Sequence, residues 1–295
     1  MATAKLIIRD EVNIKLDQID PMTRRKMSAA LKFMLPYAYH MPAYKLGRWD
    51  GMIRFCDVGG RTYLNLLDTL LPIIQNAGYD IDIEDHRQTW NLKFDEIDEN
   101  YLSDINWPKK HTHEGQPIVL RDYQVEAINN FLNHLQSLQE IATAAGKTII
   151  TATLSKLCEQ YGRTIVIVPN KSLVTQTEED YRNIGLDVGV FYGDRKDYGH
   201  QHTICTWQSL NVLLKKSKRK EADIDIEQFI DDVICIMVDE VHQAKADVLK
   251  ELLTGVFANV PIRWGLTGTI PKAEYEFVSL KASLGEVINR ISAHS

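Results

Sequence analysis

Residues 140–150 read EIATAAGKTII, and the GKT at 146–148 is the end of a phosphate-binding loop. Such a loop normally carries a glycine five residues before its last glycine, but Ile141 occupies that position. The tripeptide alone therefore does not establish a nucleotide site. The residues before it predict a short strand, and those after it predict a helix that closes on Gly162. A GKT turn between a strand and a helix is the context that phosphate binding requires.

The start of that helix is suited to bind phosphate. Its unpaired backbone N–H groups and the helix dipole present partial positive charge to an anion. Lys147 is expected to reach the β- and γ-phosphates of ATP, and the hydroxyl of Thr148 is expected to ligate Mg²⁺. Ala144 and Ala145 are small enough to let the backbone approach the phosphates. The sequence therefore predicts ATP and Mg²⁺ as cofactors.

The stretch VICIMVDEVH (233–242) supplies the other half of this chemistry. It places Asp239 and Glu240 at the exit of a buried strand, where carboxylates are unfavourable unless a metal ion or water meets them. We expect Asp239 to hold Mg²⁺ through water and Glu240 to polarise the attacking water, because phosphoryl transfer needs mainly positioning and charge neutralisation. A solvated strand end would explain either motif alone. Both motifs in order, in one predicted sheet, favour a catalytic site formed by Lys147, Asp239 and Glu240.

Short β-branched runs indicate the fold class of the region around these motifs. The runs are 164–169, 202–207, 233–240 and 263–269, and they alternate with helical stretches. Strands that are apolar throughout are buried on both faces, which indicates a parallel sheet covered by helices. Ligands of such sheets bind at the carboxyl ends of the strands. The predicted class is α/β, a P-loop domain with a parallel sheet, preceded by a small α+β domain.

The first hundred residues predict that smaller α+β domain. The spacing of apolar residues predicts helices over 21–35 and 66–78, a strand over 79–85, and a hairpin around the two glycines at 59–60. The segment 106–117 contains two prolines and no apolar periodicity, which is typical of a linker. The expected organisation is a nucleic-acid-binding domain (1–105), a linker (106–117), an ATP-binding domain (118–272) and a C-terminal segment (273–295).

The composition is that of an ordinary soluble protein, with 295 residues, 44% hydrophobic and 25% charged, long enough for about two domains. Its net charge of -6 argues against coating nucleic acid with the whole surface, although residues 21–61 are basic. The apolar runs are too short to span a membrane and the N-terminus lacks a secretory signal, so a cytoplasmic protein is expected. The histidine pairs in HTH (111–113) and HQH (200–202) are predicted to be solvated loop residues rather than zinc ligands.

Taken in order, the motifs resemble those of superfamily 2 helicases and translocases of the DExH type. The matching segments are LRDYQ (120–124), TAAGKT (143–148), VPNKSLVTQ (168–176), TWQSL (206–210), DEVH (239–242) and LTGT (266–269). The resemblance implies a RecA-like motor domain. It also implies an ATP-binding set that consists of Arg121, Gln124, Thr143, Ala144, Ala145, Gly146, Lys147 and Thr148, with Gln124 reading the adenine edge.

The resemblance implies further roles downstream. Lys171 and Thr206 would touch the phosphate backbone of the tracked strand. His242, Thr267 and Thr269 would couple hydrolysis to movement, although Thr267 and Thr269 also suit simple turn chemistry around a glycine.

The N-terminal region narrows the resemblance to the UvsW-like group of phage helicases. YKLGRWDGMIRFCD (44–57) and NAGYDIDIED (76–85) are similar to segments of their N-terminal domain, and in that group the first loop glycine is also replaced by an apolar residue. This implies ATP-driven remodelling of branched or forked DNA and of RNA–DNA hybrids, in recombination and repair. The implied nucleic-acid contacts include Lys45, Arg48, Trp49 and Arg54.

Two basic segments each allow two interpretations. Arg48 and Trp49 suit phosphate contact and base stacking, but Trp49 also suits a core position beside a turn at 50–51. The run KKSKRK (215–220) suits an exposed loop that brushes duplex DNA, whereas most such runs are only solvated.

Motors of this type complete their ATP site with arginines from a second RecA-like domain. After Thr269 the only arginine is Arg290, so the chain is expected to be a fragment that binds ATP and DNA but hardly turns over. Two alternatives remain open. One is the motor of a restriction or chromatin-type translocase, and the other is a non-catalytic nucleic-acid-binding module that uses ATP as a conformational ligand.

Overall fold

The computed structural model describes residues 1–142 and 146–291. Within them the chain forms two compact units. Unit 1 comprises residues 1–89 and 271–283, and unit 2 comprises residues 90–270 together with the residues that follow 283. Every helix in the described part of the chain is too short or too polar to cross a bilayer.

Unit 1 is a small mixed sheet with helices. Its elements up to residue 85 are β1 (Ala2–Ile8), β2 (Asn13–Asp17), α1 (Pro21–Ala30), β3 (Lys32–Met34), α2 (Pro42–Lys45), β4 (Met52–Arg54), β5 (Arg61–Tyr63), α3 (Leu67–Asn76) and β6 (Tyr79–Asp85). Single 3-10 turns cover Ala38–His40 and Leu64–Leu66. Four strands pair in the order β5-β2-β1-β6, with β1 parallel to β6, and β3 pairs separately with β4. The resulting core contains Leu16, Leu70 and Ile74, which are fully buried.

The helix predicted over 21–35 is too long at its C-terminal end. It begins as expected, with the Asp20 carboxylate accepting a hydrogen bond from the backbone N–H of Thr23 at 3.0 Å. It ends at Ala30, and the next residues form β3, which pairs with β4 and places Phe33 edge-on against Phe55. Pairing with a distant strand overrides a helical spacing that looks continuous in the sequence.

The hairpin predicted around residues 59–60 forms only as a turn. The backbone N–H of Gly60 donates to the carbonyl of Asp57, and the N–H of Asp57 donates to the carbonyl of Arg61, both at 3.0 Å. The flanking strands then separate, because β4 pairs with β3 while β5 pairs with β2. A Cβ atom at Gly60 would lie 2.0 Å from the carbonyl oxygen of Leu16, so the chain passes directly against β2.

Unit 2 is built around a larger sheet. The remaining elements are α4 (Asp122–Asn133), β7 (Gln136–Ile141), α5 (Lys147–Cys158), β8 (Arg163–Val168), α6 (Lys171–Asn183), β9 (Val188–Tyr192), β10 (Arg195–Lys196), β11 (His202–Thr206), α7 (Trp207–Lys218), α8 (Ile226–Phe229), β12 (Val233–Asp239), α9 (Ala246–Thr254), β13 (Ile262–Thr267), α10 (Glu274–Leu284) and β14 (Glu286–Ile291). A 3-10 turn covers Val241–Gln243.

The eight strands of this sheet run in the order β10-β9-β11-β8-β12-β13-β7-β14. Neighbouring strands are parallel except β9 and β10, which form an antiparallel hairpin. Every residue of β12 and β13 is buried, as expected of central strands covered on both faces. The α/β class with a parallel sheet is confirmed, and the consecutive crossover helices bring the strand ends that carry the motifs to one edge.

Residues 90–118 pack on the core of unit 2. Leu102 and Ile118 are fully buried in it, and the Phe94 ring lies edge-on to Tyr161 with centroids 5.4 Å apart. This division differs from the predicted boundaries of 1–105 and 106–117. The apolar side chains of the segment have no helical or strand period, so their burial cannot be read from spacing.

The chain after β13 contributes to both units. In α10, Ala282 is fully buried in the core of unit 1, and the Lys281 ammonium pairs with Asp68 at 2.6 Å. After Gly285, β14 pairs in parallel with β7 at the edge of the large sheet. That residues 273–295 lead into a second motor domain stays a prediction.

Candidate functional site

Gly146 and the start of α5 form one wall of the site. Gly146 caps α5 in the left-handed conformation, with φ of 65°, and a Cβ atom there would lie 2.7 Å from the side-chain nitrogen of Gln124. Glycine is the residue that adopts this conformation without strain. Lys147 and Thr148 follow as the first residues of the helix. The predicted ATP-binding residues Thr143, Ala144 and Ala145 lie outside the described residues.

The end of β12 faces this turn with two carboxylates. Asp239 is the last residue of the strand, and Glu240 follows in the left-handed region with φ of 51°. A residue other than glycine in that region is strained, and such strain concentrates at functional sites. The Asp239 carboxylate accepts a hydrogen bond from the Glu240 backbone N–H at 2.9 Å, which holds both side chains at the strand exit.

Lys147 joins the two carboxylates in a buried cluster. Its ammonium lies 3.5 Å from Asp239 Oδ1 and forms an ion pair with Glu240. The three side chains are only 5%, 2% and 7% exposed, respectively. Among the described residues the two carboxylates are its charged partners, so an anionic ligand that reaches the ammonium would replace them.

Burial shifts the ionisation of this cluster. It lowers the pKa of Lys147, against the attraction of Asp239. It raises the pKa of Asp239, against the attraction of Lys147. Desolvation of buried charges offsets much of what pairing contributes, so such a cluster is weak evidence for stability. Perturbed charges at the edge of a sheet are instead typical of a functional site.

The hydroxyl of Thr148 meets a carboxylate that sequence analysis missed. It donates a hydrogen bond to Asp180 on α6, and burial raises the pKa of that carboxyl. In the sequence Asp180 follows Glu178 and Glu179 within a helix, and nothing distinguishes it from them. Only the packing of α6 against α5 turns it toward the phosphate-binding turn.

A cavity of about 560 Å³ adjoins the turn. Its lining includes Arg121, Gln124, Gly146, Thr148, Trp107, His111 and Asp180. The Gln124 side chain spans this wall, because its oxygen accepts from the Arg121 backbone N–H at 2.9 Å and its nitrogen donates to the Gly146 carbonyl at 3.4 Å. The cavity volume is within the range of small-molecule sites.

Trp107 and His111 belong to the segment interpreted from sequence as a linker. Their rings stack with centroids 3.9 Å apart and planes within 3°. The segment folds back on itself, since the Trp107 backbone N–H donates to the carbonyl of Gln116 at 2.8 Å. A tryptophan in an otherwise polar, proline-containing stretch was the signal that could have identified this wall.

The predicted coupling residues form a hydrogen-bonded chain between β12 and β13. His242 Nδ1 lies 2.6 Å from the Thr267 hydroxyl and 3.5 Å from a carboxylate oxygen of Glu240. The Thr267 hydroxyl donates to the Thr269 carbonyl at 2.7 Å and accepts from the Thr269 N–H at 3.2 Å. The last two contacts are also those of a simple turn, so coupling remains a prediction.

The predicted nucleic-acid contacts of unit 2 lie at the carboxyl ends of two paired strands. Thr206 is the register partner of Val168, so the start of α7 lies beside the start of α6. Lys171 is exposed as the first residue of α6. The Thr206 hydroxyl caps α7 by accepting from the Ser209 N–H at 3.2 Å.

The predicted nucleic-acid contacts of unit 1 differ in how exposed their side chains are and in whether these already have partners. Lys45 and Arg48 are exposed. Trp49 is half-buried and its indole N–H donates to the Met52 carbonyl at 3.0 Å, while Arg54 pairs with Asp50. Sequence analysis missed two exposed rings in the same region, those of Tyr37, which precedes a 3-10 turn, and Tyr39, which lies within that turn.

The histidine pair at 200–202 is not a solvated loop as predicted. His200 pairs with Asp187 at the surface, at 2.7 Å, but His202 is fully buried. Its strand, β11, lies between β9 and β8 in the sheet, so the side chain faces the interior. There His202 Nδ1 lies 2.6 Å from the Thr164 hydroxyl and Nε2 lies 2.7 Å from a Glu159 carboxylate oxygen.

Comparison with known families identifies the motor unit. The family model described as "Type III restriction enzyme, res subunit" matches residues 117–272, which is more than half of the chain. The chain belongs to this family. The matched region contains every unit 2 motif described above, so the resemblance to superfamily 2 motors is confirmed.

Two known proteins are similar over much of the chain. The ATP-dependent DNA helicase uvsW of Enterobacteria phage T4 is 24% identical over 267 residues, which are 85% of this chain and 49% of that protein. The DNA 3'-5' translocase XPB2 of Sulfurisphaera tokodaii is 25% identical over 198 residues, 67% of this chain and 40% of that protein. The chain thus spans about half or less of the length of these relatives.

Solved structures show the same fold. A crystal structure of the UvsW helicase from bacteriophage T4 superposes with a TM-score of 0.75 at 18% identity, covering 97% of this chain and 99% of that one. A second T4 UvsW structure gives the same TM-score at 19% identity, covering 97% of this chain and 57% of that one. The fold similarity thus extends over both units, which confirms the RecA-like fold and the likeness to UvsW.

Proposed function

We propose that this chain contains the ATP-binding motor and a nucleic-acid-binding unit of an ATP-dependent DNA helicase or translocase. The observation that carries the proposal is the buried cluster of Lys147, Asp239 and Glu240 at the carboxyl edge of the parallel sheet. Three buried charges at the edge of a sheet are costly without a ligand, and a nucleotide triphosphate with its divalent cation matches their chemistry.

The residues present fit ATP. Lys147 can exchange its carboxylate partners for phosphate oxygens, and the start of α5 supplies backbone N–H groups. Gln124 and Arg121 line the cavity that continues from this turn. In the proposed arrangement the phosphates lie on Gly146–Thr148 and the base lies toward Gln124, with the stacked rings of Trp107 and His111 along the same wall.

The residues also fit Mg²⁺. Within 1–142 and 146–291 there is no cluster of three or more histidine, cysteine or carboxylate side chains that would form a dedicated metal cage. Mg²⁺ in phosphoryl-transfer sites is instead held by one or two protein oxygens and the substrate phosphates. Thr148 and Asp239 supply such oxygens, and the bound ion would neutralise charge on the phosphates.

In the proposed mechanism, Lys147 exchanges its carboxylate partners for the γ-phosphate. Glu240 then loses its ion pair and becomes free to polarise the attacking water. His242 contacts both Glu240 and Thr267, so a change at Glu240 would alter the contact of His242 with the end of β13. The remaining charge on the phosphates would be met by arginines of a second RecA-like domain, whose removal typically costs about a thousandfold or more.

The proposed substrate is branched or forked DNA, with RNA–DNA hybrids as a further possible duplex. Lys171 and Thr206 would contact the tracked strand, and Lys45, Arg48, Trp49 and Arg54 would contact nucleic acid from unit 1. The relatives named as a DNA helicase and a DNA translocase support DNA as the partner. A restriction-type translocase shares the motor, but the similarity to uvsW covers 85% of the chain and so extends into unit 1.

The test separates binding from turnover. A fluorescent ATP analogue is titrated against the chain, Lys147→Ala and the control Lys156→Ala from the same helix, and ATP hydrolysis is measured with forked DNA, with linear duplex and without DNA. We expect analogue binding that requires Lys147 and tolerates the control, with little turnover. Binding that is equal in all three proteins would overturn the nucleotide site. Strong Lys147-dependent turnover would instead overturn the need for external arginines.

DNA structure is tested with the same protein. A forked DNA and a linear duplex of equal length and composition compete for the chain in fluorescence anisotropy. Preference for the fork supports remodelling of branched DNA. Equal affinity for the two DNAs would favour the translocase alternative. The non-catalytic module would be favoured if the chain hydrolysed no ATP even after the remaining part of a relative's motor was added.

A further inference from the structure

Another cavity opens in unit 2 beside α7 and the β9–β10 hairpin. Its volume is about 330 Å³, and its lining residues are all different from those of the nucleotide cavity. The volume lies within the range of sites that hold small organic groups. Apart from Gln208 and Ser209 of the TWQSL segment, its lining residues lie outside the motifs of the proposed ATPase.

Aromatic rings form the apolar wall. Phe191, Tyr192 and Tyr198 line the cavity. The Tyr198 ring is held from behind, with centroids 6.0 Å from Phe191 and 6.5 Å from Phe229. It is nevertheless 41% exposed, so an oriented ring is presented to solvent at low further entropy cost. Oriented tyrosine rings are the usual platform for nucleic-acid bases.

The opposite wall is one face of α7. Gln208, Val212 and Lys216 recur at four-residue spacing, which places them on one side of the helix. Val212 is an exposed apolar residue, Gln208 offers an amide, and Lys216 lies at the C-terminal turn. An apolar slot with an amide at one end matches a flat heterocycle with a polar edge.

Charged side chains of both signs line the cavity. Lys196 on β10 and Lys216 on α7 line the cavity from its two walls, and among the described residues neither ammonium forms an ion pair. Glu221 and Asp223 also line it, where they can accept hydrogen bonds from exocyclic amino groups. A base with an attached phosphate carries both complementary features, amino groups and negative charge.

The cavity also adjoins the proposed path of the tracked strand. Thr206, a proposed backbone contact, caps the helix whose second residue, Gln208, lines the cavity. The basic run 215–220 forms the last turn of that helix and the two residues after it. We propose that this cavity binds an unpaired base of a nucleic-acid strand, stacked on Tyr198, with its phosphate between Lys196 and Lys216. The inference rests on the proposed function, because it assumes that the motor binds such a strand.

The experiment compares two single-stranded DNA probes of 12 nucleotides. One carries all its bases, and the other is a backbone of abasic residues with the same phosphates. Dissociation constants are measured for the chain, Tyr198→Ala and Tyr198→Phe, and circular dichroism confirms that each variant is folded. We expect the affinity for the complete probe, divided by the affinity for the abasic probe, to fall about fivefold or more in Tyr198→Ala, because that variant loses the stacking contact. In Tyr198→Phe the same ratio should equal that of the unaltered chain.

A matched pair of lysine variants tests the phosphate contact. Lys216→Ala is expected to weaken both probes and to reduce the slope of log affinity against log salt by about 1. Lys215→Ala removes the same charge from the neighbouring position of α7, which does not line the cavity, and is expected to change the slope less. Equal slopes in the two variants would contradict the proposed phosphate position.

The outcomes separate this inference from the proposed function. If Tyr198→Ala weakens both probes equally, or neither, the cavity does not bind a base, while Lys147-dependent nucleotide binding still stands. If free dCMP displaces the strand at equal nucleotide concentration, the site takes a mononucleotide and the assignment to a strand is overturned. If the unaltered chain binds neither probe, the DNA partner of the proposed function and this inference both fail.

Discussion

The two units differ in where they keep their charged pairs. In unit 2, Lys147 and Glu240 form an ion pair in which the side chains are only 5% and 7% exposed. In unit 1, Arg54 pairs with Asp50 at 2.5 Å with side chains 40% and 48% exposed. The exposed pair costs little desolvation free energy. It is also weak evidence for a functional site, because such contacts are common on protein surfaces. The buried pair is costly, so its presence requires an explanation beyond stability.

The same difference separates the arguments for function in the two units. The candidate nucleotide site is supported by the burial of three charged side chains and by strain at Glu240, both of which point to a ligand. The candidate contacts of unit 1 are exposed basic and aromatic side chains that suit nucleic acid but have no comparable energetic cost. For unit 1, the assignment as a nucleic-acid-binding unit has to be tested by binding measurements, because its geometry does not require a ligand.

The largest effect is expected from breaking the buried pair. Without nucleotide, Lys147→Met leaves Asp239 and Glu240 buried without their partner, and we expect the free energy of unfolding to fall by about 3–5 kcal/mol. The measurement is urea denaturation followed by tryptophan fluorescence. Adding Glu240→Gln to Lys147→Met should restore part of the loss, whereas Lys216→Met at the surface should change little. Unchanged stability in Lys147→Met would show that the carboxylates are solvated or protonated there.

A smaller effect is expected from a buried neutral group. Burial lowers the pKa of His202 below its usual range, against the opposing effect of the hydrogen bond that its ring donates to the Glu159 carboxylate. Below about pH 6.5 the unfolded chain therefore binds a proton that the folded chain does not, so stability is lost as pH falls. When the pH is lowered from 7 to 5.5, we expect the free energy of unfolding of His202→Gln to fall by about 1 kcal/mol less than that of the unaltered chain in the same denaturation assay. Parallel pH profiles would mean that His202 is protonated in the folded protein.

The smallest effect is expected from the exposed pair. Arg54→Ala removes the contact to Asp50 and should leave the denaturation midpoint unchanged, because solvent replaces the lost partner. If Arg54 contacts DNA, the same variant should lower the salt slope of DNA binding by about 1. A clear loss of stability would show that the two units do not differ in the way described above.

Several site residues were missed because they come from elements without a readable pattern. Asp180 lies among other acidic residues of a helix, and Trp107 and His111 lie in an irregular segment that the prolines of 106–117 made look like a linker. His202 was misassigned for a related reason. A histidine beside a glutamine and another histidine looks solvated until the strand order places it between two other strands.

The α/β class, the order of the motifs and the three charged residues of the candidate ATPase could be predicted from sequence, because strand periodicity and the residues next to strand ends depend on local chemistry. The pairing of the strands, the separation of β4 from β5 and the identity of the side chains beyond the motifs that reach the site follow from tertiary packing. Those contacts join residues far apart in the chain, such as Thr148 with Asp180 and Thr164 with His202. They depend on the crossover of helices between parallel strands, which no local pattern specifies.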